Sequence, residues 1–355
     1  MSRMMKAQVV ESPNKLVYKD VPVPEIGDDE VLVKVKVCGI CGSDWSIYTG
    51  KYVPEKLPMI TGHEFWGIVD QVGAKAKGVK VGDRVAVDIC LTCGTCYFCR
   101  RGDGLLCQTF TQLGIHTNGG FAEYVKAPAA NCYQLPDDMD DYTAAFVEPL
   151  TTAIHASQRL DAKIASSCVV IGDRLGMLHA AMARLRGCAP VIVAGLSESR
   201  LKTALTMGAD YVIDANKTPD IVAEVKKLTG GIGVDYVIEA VGTPKTYEQA
   251  FEMLRRGGKL EAFGICAQGD KAAIEPYEFV LGEKKVSGSC AGIGNNWGES
   301  ITLLKHGRID PRPMFSMAAP LEELDWALHE VQRDTSLAKV FIVPGLKEKF
   351  YFDKV

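Results

Sequence analysis

The stretch that decides the fold of this chain begins Ser167-Cys-Val-Val-Ile171-Gly172 and continues as a helical segment over residues 175–186. The same order returns with Val191-Ile-Val-Ala194 and a helix over about residues 198–207. Further elements of this kind are predicted at 211–213, 220–228, 234–238 and 258–263. Uninterrupted apolar strands that alternate with helices indicate a parallel sheet with helices on both faces. We therefore predict an α/β unit of the doubly wound, Rossmann nucleotide-binding class.

The residues before about 150 follow a different pattern, with short valine-rich runs separated by turns. The run Glu30-Val-Leu-Val-Lys-Val-Lys-Val37 alternates apolar and polar side chains, as a strand with one buried face does. Similar runs lie at residues 6–10, 16–18, 67–72 and 81–87. This part of the chain is predicted to be mostly β, without a long amphipathic helix.

The chain after about residue 295 returns to shorter, mixed elements. Helices are predicted over 297–306 and 321–333, and a closing strand at 338–343. We expect this tail to rejoin the N-terminal β domain, so that the α/β unit is inserted. The predicted domains are 1–155 together with 296–355, and 156–295.

Bulk composition is that of an ordinary globular protein. The 355 residues are 47% hydrophobic and 24% charged, and their number favours two domains. A net charge of −4 gives no general attraction to nucleic acid or to an anionic membrane, and no apolar run is long enough to span a bilayer. The start lacks a signal-peptide core, so we expect a cytoplasmic protein whose twelve cysteines serve as metal ligands or buried thiols.

Four cysteines, Cys93, Cys96, Cys99 and Cys107, follow the spacing Cys-x2-Cys-x2-Cys-x7-Cys. Four thiolates so close in sequence can fold one lobe around a tetrahedral zinc that has no open position. An iron–sulfur cluster is the competing use of this spacing, and disulfides are less favoured in a cytoplasmic chain. We predict a closed, structural zinc site.

A second metal site is predicted where Cys41 and the pair His63-Glu64 lie in two glycine-flanked turns. A thiolate, an imidazole and a carboxylate can hold zinc, and a catalytic zinc keeps one position open for water or substrate. Cys41 and His63 are the best candidate ligands. The third place is contested between Glu64 and Glu148, whose carboxyl interrupts an apolar run, and the two can exchange as substrate enters.

Three further polar residues of this stretch have predicted supporting roles. Asp44 is expected to accept the second ring N–H of His63 and so to orient the ring. Ser43 can carry a proton between bound substrate and solvent, and Ser46 can continue that path. Taken singly, a pair such as His63-Glu64 is usually a satisfied polar pair and a cysteine such as Cys41 is usually a buried small hydrophobe, so the metal site is predicted from their combination.

The family resemblance is carried by several motifs together: Cys41-Gly-Ser-Asp44, Gly62-His-Glu64, the four-cysteine spacing, Gly119-Gly-Phe-Ala-Glu-Tyr124, Glu148-Pro-Leu150 and Ile154-His-Ala156. Over essentially its whole length the chain resembles the zinc-dependent medium-chain alcohol dehydrogenases, and within them the polyol, sorbitol dehydrogenase-like branch. The resemblance implies a mostly-β, GroES-like catalytic domain and a Rossmann cofactor domain. It also implies two zinc ions, with Cys41 and His63 as ligands of the catalytic ion and Glu64 and Glu148 as ligands or water-linked partners.

The resemblance further implies a proton relay and an oligomer. Ser43 would begin the relay, and where some members continue it through a histidine this chain has Ser46. Dimers and tetramers are usual among proteins of this kind, so a homodimer or homotetramer is expected. Threonine dehydrogenase is a near relative of the polyol branch.

The expected phosphate-binding loop departs from its usual form. A dinucleotide site has Gly-x-Gly-x-x-Gly between strand and helix, whereas this chain reads Gly172-Asp-Arg-Leu-Gly176, one glycine short. Arg174 then stands where backbone should approach phosphate, and it either contacts the phosphate or turns away while the loop tightens. We expect binding to be retained, with Gly172, Arg174, Leu175 and Gly176 at the cofactor.

The ribose of an NAD cofactor is normally held by an acidic residue about twenty residues past the first glycine. Here the second strand ends at Gly195, so the expected carboxylate is missing. Its absence removes the repulsion of a 2′-phosphate, which Ser197, Ser199 or Arg200 can bind. The sequence therefore leans towards NADP over NAD.

The predicted reaction is hydride transfer from a secondary alcohol, in particular a sugar alcohol or other polyol, to NAD(P), which gives a ketone. Zinc would lower the pKa of the alcohol, and the nicotinamide would accept the hydride. One alternative is an L-threonine or other amino-alcohol dehydrogenase. Another is a zinc-stabilised nucleotide-binding protein with a regulatory role, which the shortened loop makes conceivable. No nucleic-acid or membrane partner is expected.

Overall fold

The computed structural model describes residues 3–353, which form two compact units. Unit 1 comprises residues 3–151, 293–306 and 315–353, and unit 2 comprises 152–292 and 307–314. Unit 2 therefore interrupts unit 1 in the chain. The division predicted from the sequence falls at residues 155 and 296.

Strands alternate with short turns in unit 1 and with helices in unit 2. The strands are β1 (Met4–Ser12), β2 (Lys15–Pro22), β3 (Glu30–Gly39), β4 (Glu64–Val72), β5 (Arg84–Val87), β6 (Cys90–Leu91), β7 (Thr111–Gln112), β8 (Tyr124–Pro128), β9 (Cys132–Gln134), β10 (Cys168–Ile171), β11 (Val191–Gly195), β12 (Tyr211–Asp214), β13 (Val234–Glu239), β14 (Leu254–Ala262), β15 (Lys285–Gly288), β16 (Phe315–Pro320), β17 (Lys339–Val343) and β18 (Phe350–Tyr351). The helices are α1 (Gly42–Tyr48), α2 (Tyr97–Arg100), α3 (Asp141–Ala144), α4 (Val147–Leu160), α5 (Gly176–Leu185), α6 (Glu198–Thr206), α7 (Ile221–Leu228), α8 (Pro244–Met253), α9 (Pro276–Leu281), α10 (Asn295–Lys305) and α11 (Leu324–Arg333). Of the helices in the described chain, none combines the length and the apolarity needed to cross a membrane.

Unit 2 is built on a parallel sheet with the strand order β12-β11-β10-β13-β14-β15. Every neighbouring pair in that order is parallel, and a helix connects each strand to the next. The order reverses between β10 and β13, and in such sheets a ligand binds outside the carboxyl ends of the strands at this reversal. The predicted doubly wound fold is confirmed.

Unit 1 is built on a mixed, mainly antiparallel sheet with the order β18-β16-β17-β3-β4-β5-β9, and β8 pairs with β3 as well. The central strands β3 and β4 are antiparallel and bring Gly39 opposite Glu64. The C-terminal strand β17 lies against the same end of β3, with Phe341 opposite Gly39. The tail of the chain thus completes the sheet of the N-terminal unit.

Helix α4 was not predicted from the sequence. It begins at Val147 and carries Glu148 in its first turn. Pro149 lies in the first turn, where proline is tolerated because its missing N–H would have no helical partner there. The helix gives Glu148 a defined, buried position in unit 1.

His179 lies in α5 at a fully buried position, with its ring edge-on to Phe263 at a centroid distance of 4.4 Å. Neither ring nitrogen has a hydrogen-bond partner among the described residues. Burial lowers the pKa of His179 from 6.5 to about 3, so the folded protein keeps the ring neutral while an unfolded chain protonates it. The stability that depends on a neutral His179 is complete above about pH 6.5 and is lost as the pH falls towards 3.

Replacing His179 with leucine should therefore reduce the loss of unfolding free energy that occurs as the pH falls below 7. Between pH 7 and pH 5 the wild type should lose about 2 kcal/mol of unfolding free energy through this residue, because each pH unit below its ordinary pKa costs ~1.4 kcal/mol. Denaturant unfolding at both pH values measures the loss, which should be smaller in His179→Leu by that amount. The half-exposed His329 is the control, and His329→Gln should keep the wild-type loss. An identical loss in both variants would contradict this prediction.

Candidate metal centres and nucleotide site

The four cysteines come together in the lobe between β6 and β7. Their Sγ atoms all lie within 4.8 Å of one another, and Cys93 Sγ is 4.0 Å from Cys99 Sγ. The backbone N–H of Cys93 donates to Cys107 Sγ at 3.3 Å, and that of Cys96 donates to Cys93 Sγ at 3.3 Å. Hydrogen bonds from Thr95, joined by that from Cys96, lower the pKa of Cys93 to about 5. They favour the thiolate form that a metal requires.

The lobe has no apolar core of its own. Within the described chain no side chain from residue 91 to residue 106 is buried, and Tyr97 and Leu106 are 65% and 59% exposed. A segment that buries so little cannot offset the entropy lost when its backbone is ordered. A metal ion on four thiolates supplies the missing free energy. The residues present therefore fit a structural zinc ion.

A second group of metal ligands lies between α1 and β4. Cys41 immediately precedes α1, His63 immediately precedes β4 and Glu64 begins it, and their ligand atoms all lie within 4.8 Å of one another. Asp44 holds the two turns together, because its carboxylate accepts the backbone N–H of Cys41 at 2.8 Å and that of Gly62 at 3.2 Å. His63 and Glu64 are both buried. A half-buried thiolate beside a buried imidazole and a buried carboxylate fits a zinc ion.

The ionisable groups of this second site shift one another's pKa. Burial opposes ionisation of the thiol, but the charge of His63 outweighs it and lowers the pKa of Cys41 to about 6. Burial also opposes the charged form of His63, yet the charges of Asp44 and Cys41 raise its pKa to about 9. Burial raises the pKa of Glu148 to about 8. The thiolate of Cys41 thus stabilises a proton on the His63 ring. A divalent cation can take the place of that proton, so these groups are suited to bind one.

Glu64 has a partner that was not predicted from the sequence. Lys339, the first residue of β17, is buried, forms an ion pair with Glu64 and donates to the Ile40 carbonyl at 3.2 Å. Burial lowers the pKa of Lys339 to about 8. The only signal in the sequence is a lysine at the head of an apolar strand. Glu64 is thus both a candidate metal ligand and the ion-pair partner of a lysine. Glu148 is not among the residues whose ligand atoms lie within 4.8 Å of one another.

The supporting residues Ser43, Asp44 and Ser46 all lie in α1. Ser43 Oγ is 3.4 Å from His63 Nε2, and Ser46 donates to the Gly42 carbonyl at 3.4 Å. The predicted hydrogen bond from His63 to Asp44 is not formed, since Nδ1 and Oδ1 are 3.7 Å apart and Nδ1 has no partner among the described residues. Asp44 instead positions the backbone of the two ligand-bearing turns.

The shortened glycine loop joins β10 to α5 in unit 2. Gly172 follows the strand with φ of +118°, which side-chain-bearing residues rarely adopt, and its N–H donates to the Ala194 carbonyl at 2.8 Å. Leu175 precedes α5 without a side-chain cap. The backbone N–H of Met177 donates to the Arg174 carbonyl at 3.1 Å, and that of Leu178 donates to the Leu175 carbonyl at 2.9 Å. The start of a helix beside the reversal of the strand order is the position at which a doubly wound fold accepts the pyrophosphate of a dinucleotide.

The sequence favoured NADP because no acidic residue stands at the end of β11, but the structure places an acidic side chain there from another loop. A carboxylate is present beside Gly195 after all, because a Cβ on residue 195 would lie 2.6 Å from Asp173 Oδ2. Arg200 forms a buried ion pair with Asp173, with Nη2 2.9 Å from Oδ1, and the Ser197 side chain caps α6. Two of the groups expected to bind a 2′-phosphate are therefore engaged within the protein.

Replacing the half-buried Arg174 with glycine should leave the affinity for NADH unchanged or improve it, because we expect the backbone at the start of α5, and not this side chain, to hold the phosphates. The dissociation constant from a fluorescence titration measures the effect. Arg186→Gly, at an exposed position after α5, removes the same charge and controls for it. A loss greater than about tenfold in Arg174→Gly alone would show that this side chain itself holds the phosphates.

Comparison with known proteins shows that two parts of the chain each match a family of dehydrogenase domains. Residues 27–137 match the alcohol dehydrogenase GroES-like domain, and residues 175–306 match the zinc-binding dehydrogenase family. A sorbitol dehydrogenase of Bacillus subtilis is 33% identical over 351 residues, or 96% of this chain and 98% of that protein. An L-threonine 3-dehydrogenase of Bacillus velezensis is 31% identical over 97% of this chain and 100% of that protein. A structure from Sinorhizobium meliloti 1021, assigned as a zinc-binding dehydrogenase and bound to NADP, aligns with a TM-score of 0.90 at 32% identity, over 97% of this chain and 100% of that one.

The chain therefore belongs to the zinc-dependent medium-chain alcohol dehydrogenase family, in its polyol branch. It is an oxidoreductase that acts on the CH–OH group of its donors with zinc and a nicotinamide cofactor. The family resemblance, with its GroES-like and Rossmann domains, is confirmed.

Proposed function

We propose that the substrate is a polyol, oxidised at a secondary alcohol to a ketone while NAD(P) accepts the hydride. The observation that carries this proposal is the group of Cys41, His63 and Glu64, whose ligand atoms lie within 4.8 Å of one another, in a chain of the polyol branch. Glu148 adds a second buried carboxyl group in unit 1. A substrate with several hydroxyl groups suits a polar site of this kind, and the sorbitol dehydrogenase of Bacillus subtilis supports the same class.

Two zinc ions are proposed for each chain. Cys41 and His63, with Glu64 or Glu148 as the third ligand, would hold the catalytic ion. The structural ion would lie on Cys93, Cys96, Cys99 and Cys107. The ion pair between Glu64 and Lys339 competes with metal ligation and supports an exchange between the two glutamates. Reduced thiolates in both sites suit the cytoplasm, which is the location we propose.

The protein groups around the site would bind, orient and move a proton. A bound zinc supplies Lewis acidity that lowers the pKa of an alcohol, and the nicotinamide supplies the hydride acceptor. The Ser43 hydroxyl, 3.4 Å from His63 Nε2, is the proposed first acceptor of the substrate proton. Ser46, one turn further along α1 and half-buried, is the proposed next step towards water. Asp44 keeps Cys41 in register by accepting its backbone N–H.

A substrate panel read at 340 nm tests the proposal, with polyols, simple secondary alcohols and L-threonine each supplied with NAD and with NADP. We expect the highest kcat/KM with a polyol. A preference for L-threonine would establish the amino-alcohol alternative, which the Bacillus velezensis relative supports. No turnover of any alcohol by protein loaded with zinc and cofactor would remove the dehydrogenase function and favour a regulatory nucleotide-binding role.

We also propose a homodimer or homotetramer. β15 is the edge strand of the sheet in unit 2, and it pairs with β14. Helix α9 and β15 together expose four large apolar side chains: Tyr277, Val280, Leu281 and Val286. An edge strand beside exposed apolar side chains favours pairing with another copy of the chain. Light scattering across a range of concentrations measures the mass, and a monomer throughout would contradict the proposal.

A further inference from the structure

We infer that Asp173 makes this enzyme select NAD over NADP, because its carboxylate occupies the anion site that a 2′-phosphate would need. The inference rests on the proposed use of a nicotinamide dinucleotide and concerns only the adenosine end of that cofactor. The acid comes from the glycine loop and not from the end of the second strand, where such a residue is normally found. For that reason the sequence alone leans to NADP.

Asp173 is held by three donors around the start of α6. Its Oδ2 accepts the backbone N–H of Leu196 at 2.8 Å and that of Ser197 at 2.7 Å. Its Oδ1 lies 2.9 Å from Arg200 Nη2. Asp173 and Arg200 are only 6% and 5% exposed, so the pair is shielded from water and from salt. Two backbone N–H groups and a guanidinium that converge on two oxygens make a complete anion site.

These donors lie where a 2′-phosphate would be recognised. In a doubly wound fold the adenosine ribose lies at the carboxyl end of the second strand, and an arginine nearby accommodates the phosphate of NADP. Here that strand end is Gly195, and Leu196, Ser197 and Arg200 follow it directly. Asp173 already accepts a hydrogen bond from each of these three residues, so it takes the place of an external phosphate.

The two cofactors meet Asp173 in opposite ways. A 2′-phosphate carries between one and two negative charges, would approach a fixed carboxylate, and would have to compete with it for the same donors. A 2′-hydroxyl is neutral and can donate a hydrogen bond. A carboxylate offers about four acceptor positions and Asp173 uses three of them in the contacts above, so one is left for that hydroxyl.

Gly195 is what allows the loop to deliver the acid. A Cβ on residue 195 would lie 2.4 Å from Asp173 Cβ, which is far inside van der Waals contact. An acid at the end of β11 and the observed position of Asp173 therefore exclude one another. Glycine at the strand end and aspartate in the shortened loop therefore belong together. The carboxylate comes from the loop instead of from β11, and it reaches the same end of that strand.

Equilibrium binding of NADH and NADPH to the intact zinc-loaded protein, followed by nicotinamide fluorescence, tests the inference. The wild type should bind NADH roughly a hundredfold more tightly than NADPH. Asp173→Asn keeps the shape and removes the charge, and Asp173→Ser also opens the space. In both variants the ratio of the NADPH dissociation constant to the NADH dissociation constant should fall by about tenfold or more, mainly because NADPH binds more tightly. Glu198→Gln removes an exposed acid next to the site and should leave the ratio unchanged.

A second variant identifies the group that receives the phosphate. Adding Arg200→Leu to Asp173→Asn should abolish the gain in NADPH affinity, because the released guanidinium would be its main partner. NADPH binding by the wild type as tight as NADH binding would overturn the inference and leave the dehydrogenase function in place. Equal weakening of both cofactors in the folded Asp173 variants would also overturn it, since a purely structural link between loop and helix predicts that result. A wild type that binds neither cofactor would overturn the proposed function together with the inference.

Discussion

Replacing Cys41 with serine should lower kcat/KM for the best polyol by roughly a thousandfold, because a metal ion contributes several kcal/mol of charge stabilisation to such a reaction. The thiolate is the softest of the three candidate ligands, and a serine hydroxyl at this position would not ionise at neutral pH. Zinc content, measured by elemental analysis of the purified protein, should fall from two ions per chain to one. The unfolding temperature should change little, since Asp44 still bridges the two turns through backbone N–H groups.

Cys38 provides the matched control for this experiment. It is buried in the same segment, yet it is not one of the residues whose ligand atoms converge. Cys38→Ala should therefore keep both zinc ions and remain within a few-fold of wild-type kcat/KM. If Cys41→Ser retained two zinc ions and full turnover, the catalytic assignment of this group would have to be abandoned.

Replacing Cys99 with serine should release the other zinc ion and lower the unfolding temperature by roughly 10 °C. A four-thiolate site that loses one ligand should give up at least ~3 kcal/mol of binding free energy, and each kcal/mol shifts the transition by about 2–4 °C in a domain of this size. The effect should be large because the lobe from residue 91 to residue 106 buries no side chain of its own. Differential scanning calorimetry and elemental analysis give the two readouts.

The control for the structural site is Cys132, which is half-buried and donates its S–H to the Pro128 carbonyl at 3.7 Å. Cys132→Ser can keep that hydrogen bond and should leave both zinc content and unfolding temperature unchanged. Kinetics separate the two metal sites further. Cys99→Ser should keep most of its kcat/KM at a temperature well below its transition, and a complete loss of turnover there would show that the lobe is part of the catalytic machinery.

Much of the molecule could be predicted because the deciding signals are local in sequence. Four cysteines within fifteen residues already form a ligand set, and the alternation of apolar runs with helical segments already defines a parallel sheet. Lys339 could not be found in this way, since it meets Glu64 across 275 residues of chain and only the pairing of β17 with β3 brings it there.

Asp173 shows a different reason for failure. The rule for the ribose acid looks for a carboxylate at a fixed distance along the chain, and Gly195 occupies that position. A carboxylate from a neighbouring loop can reach the same space, and the Arg200 that seemed available for phosphate is its partner. Spacing rules describe which residue usually supplies a group, whereas recognition depends on where the group lies.

The pairing of β17 with β3 also has a consequence for biosynthesis. Glu64 is translated 275 residues before Lys339, an interval of roughly 15–55 s at ordinary elongation rates. Cys41, His63 and Glu64 are near neighbours in the nascent polypeptide long before the final strands emerge, so metal can be captured early. Residues 152–292 can complete their own sheet during the same interval. Maturation of the N-terminal unit then finishes last, when the end of the chain delivers the lysine that neutralises Glu64.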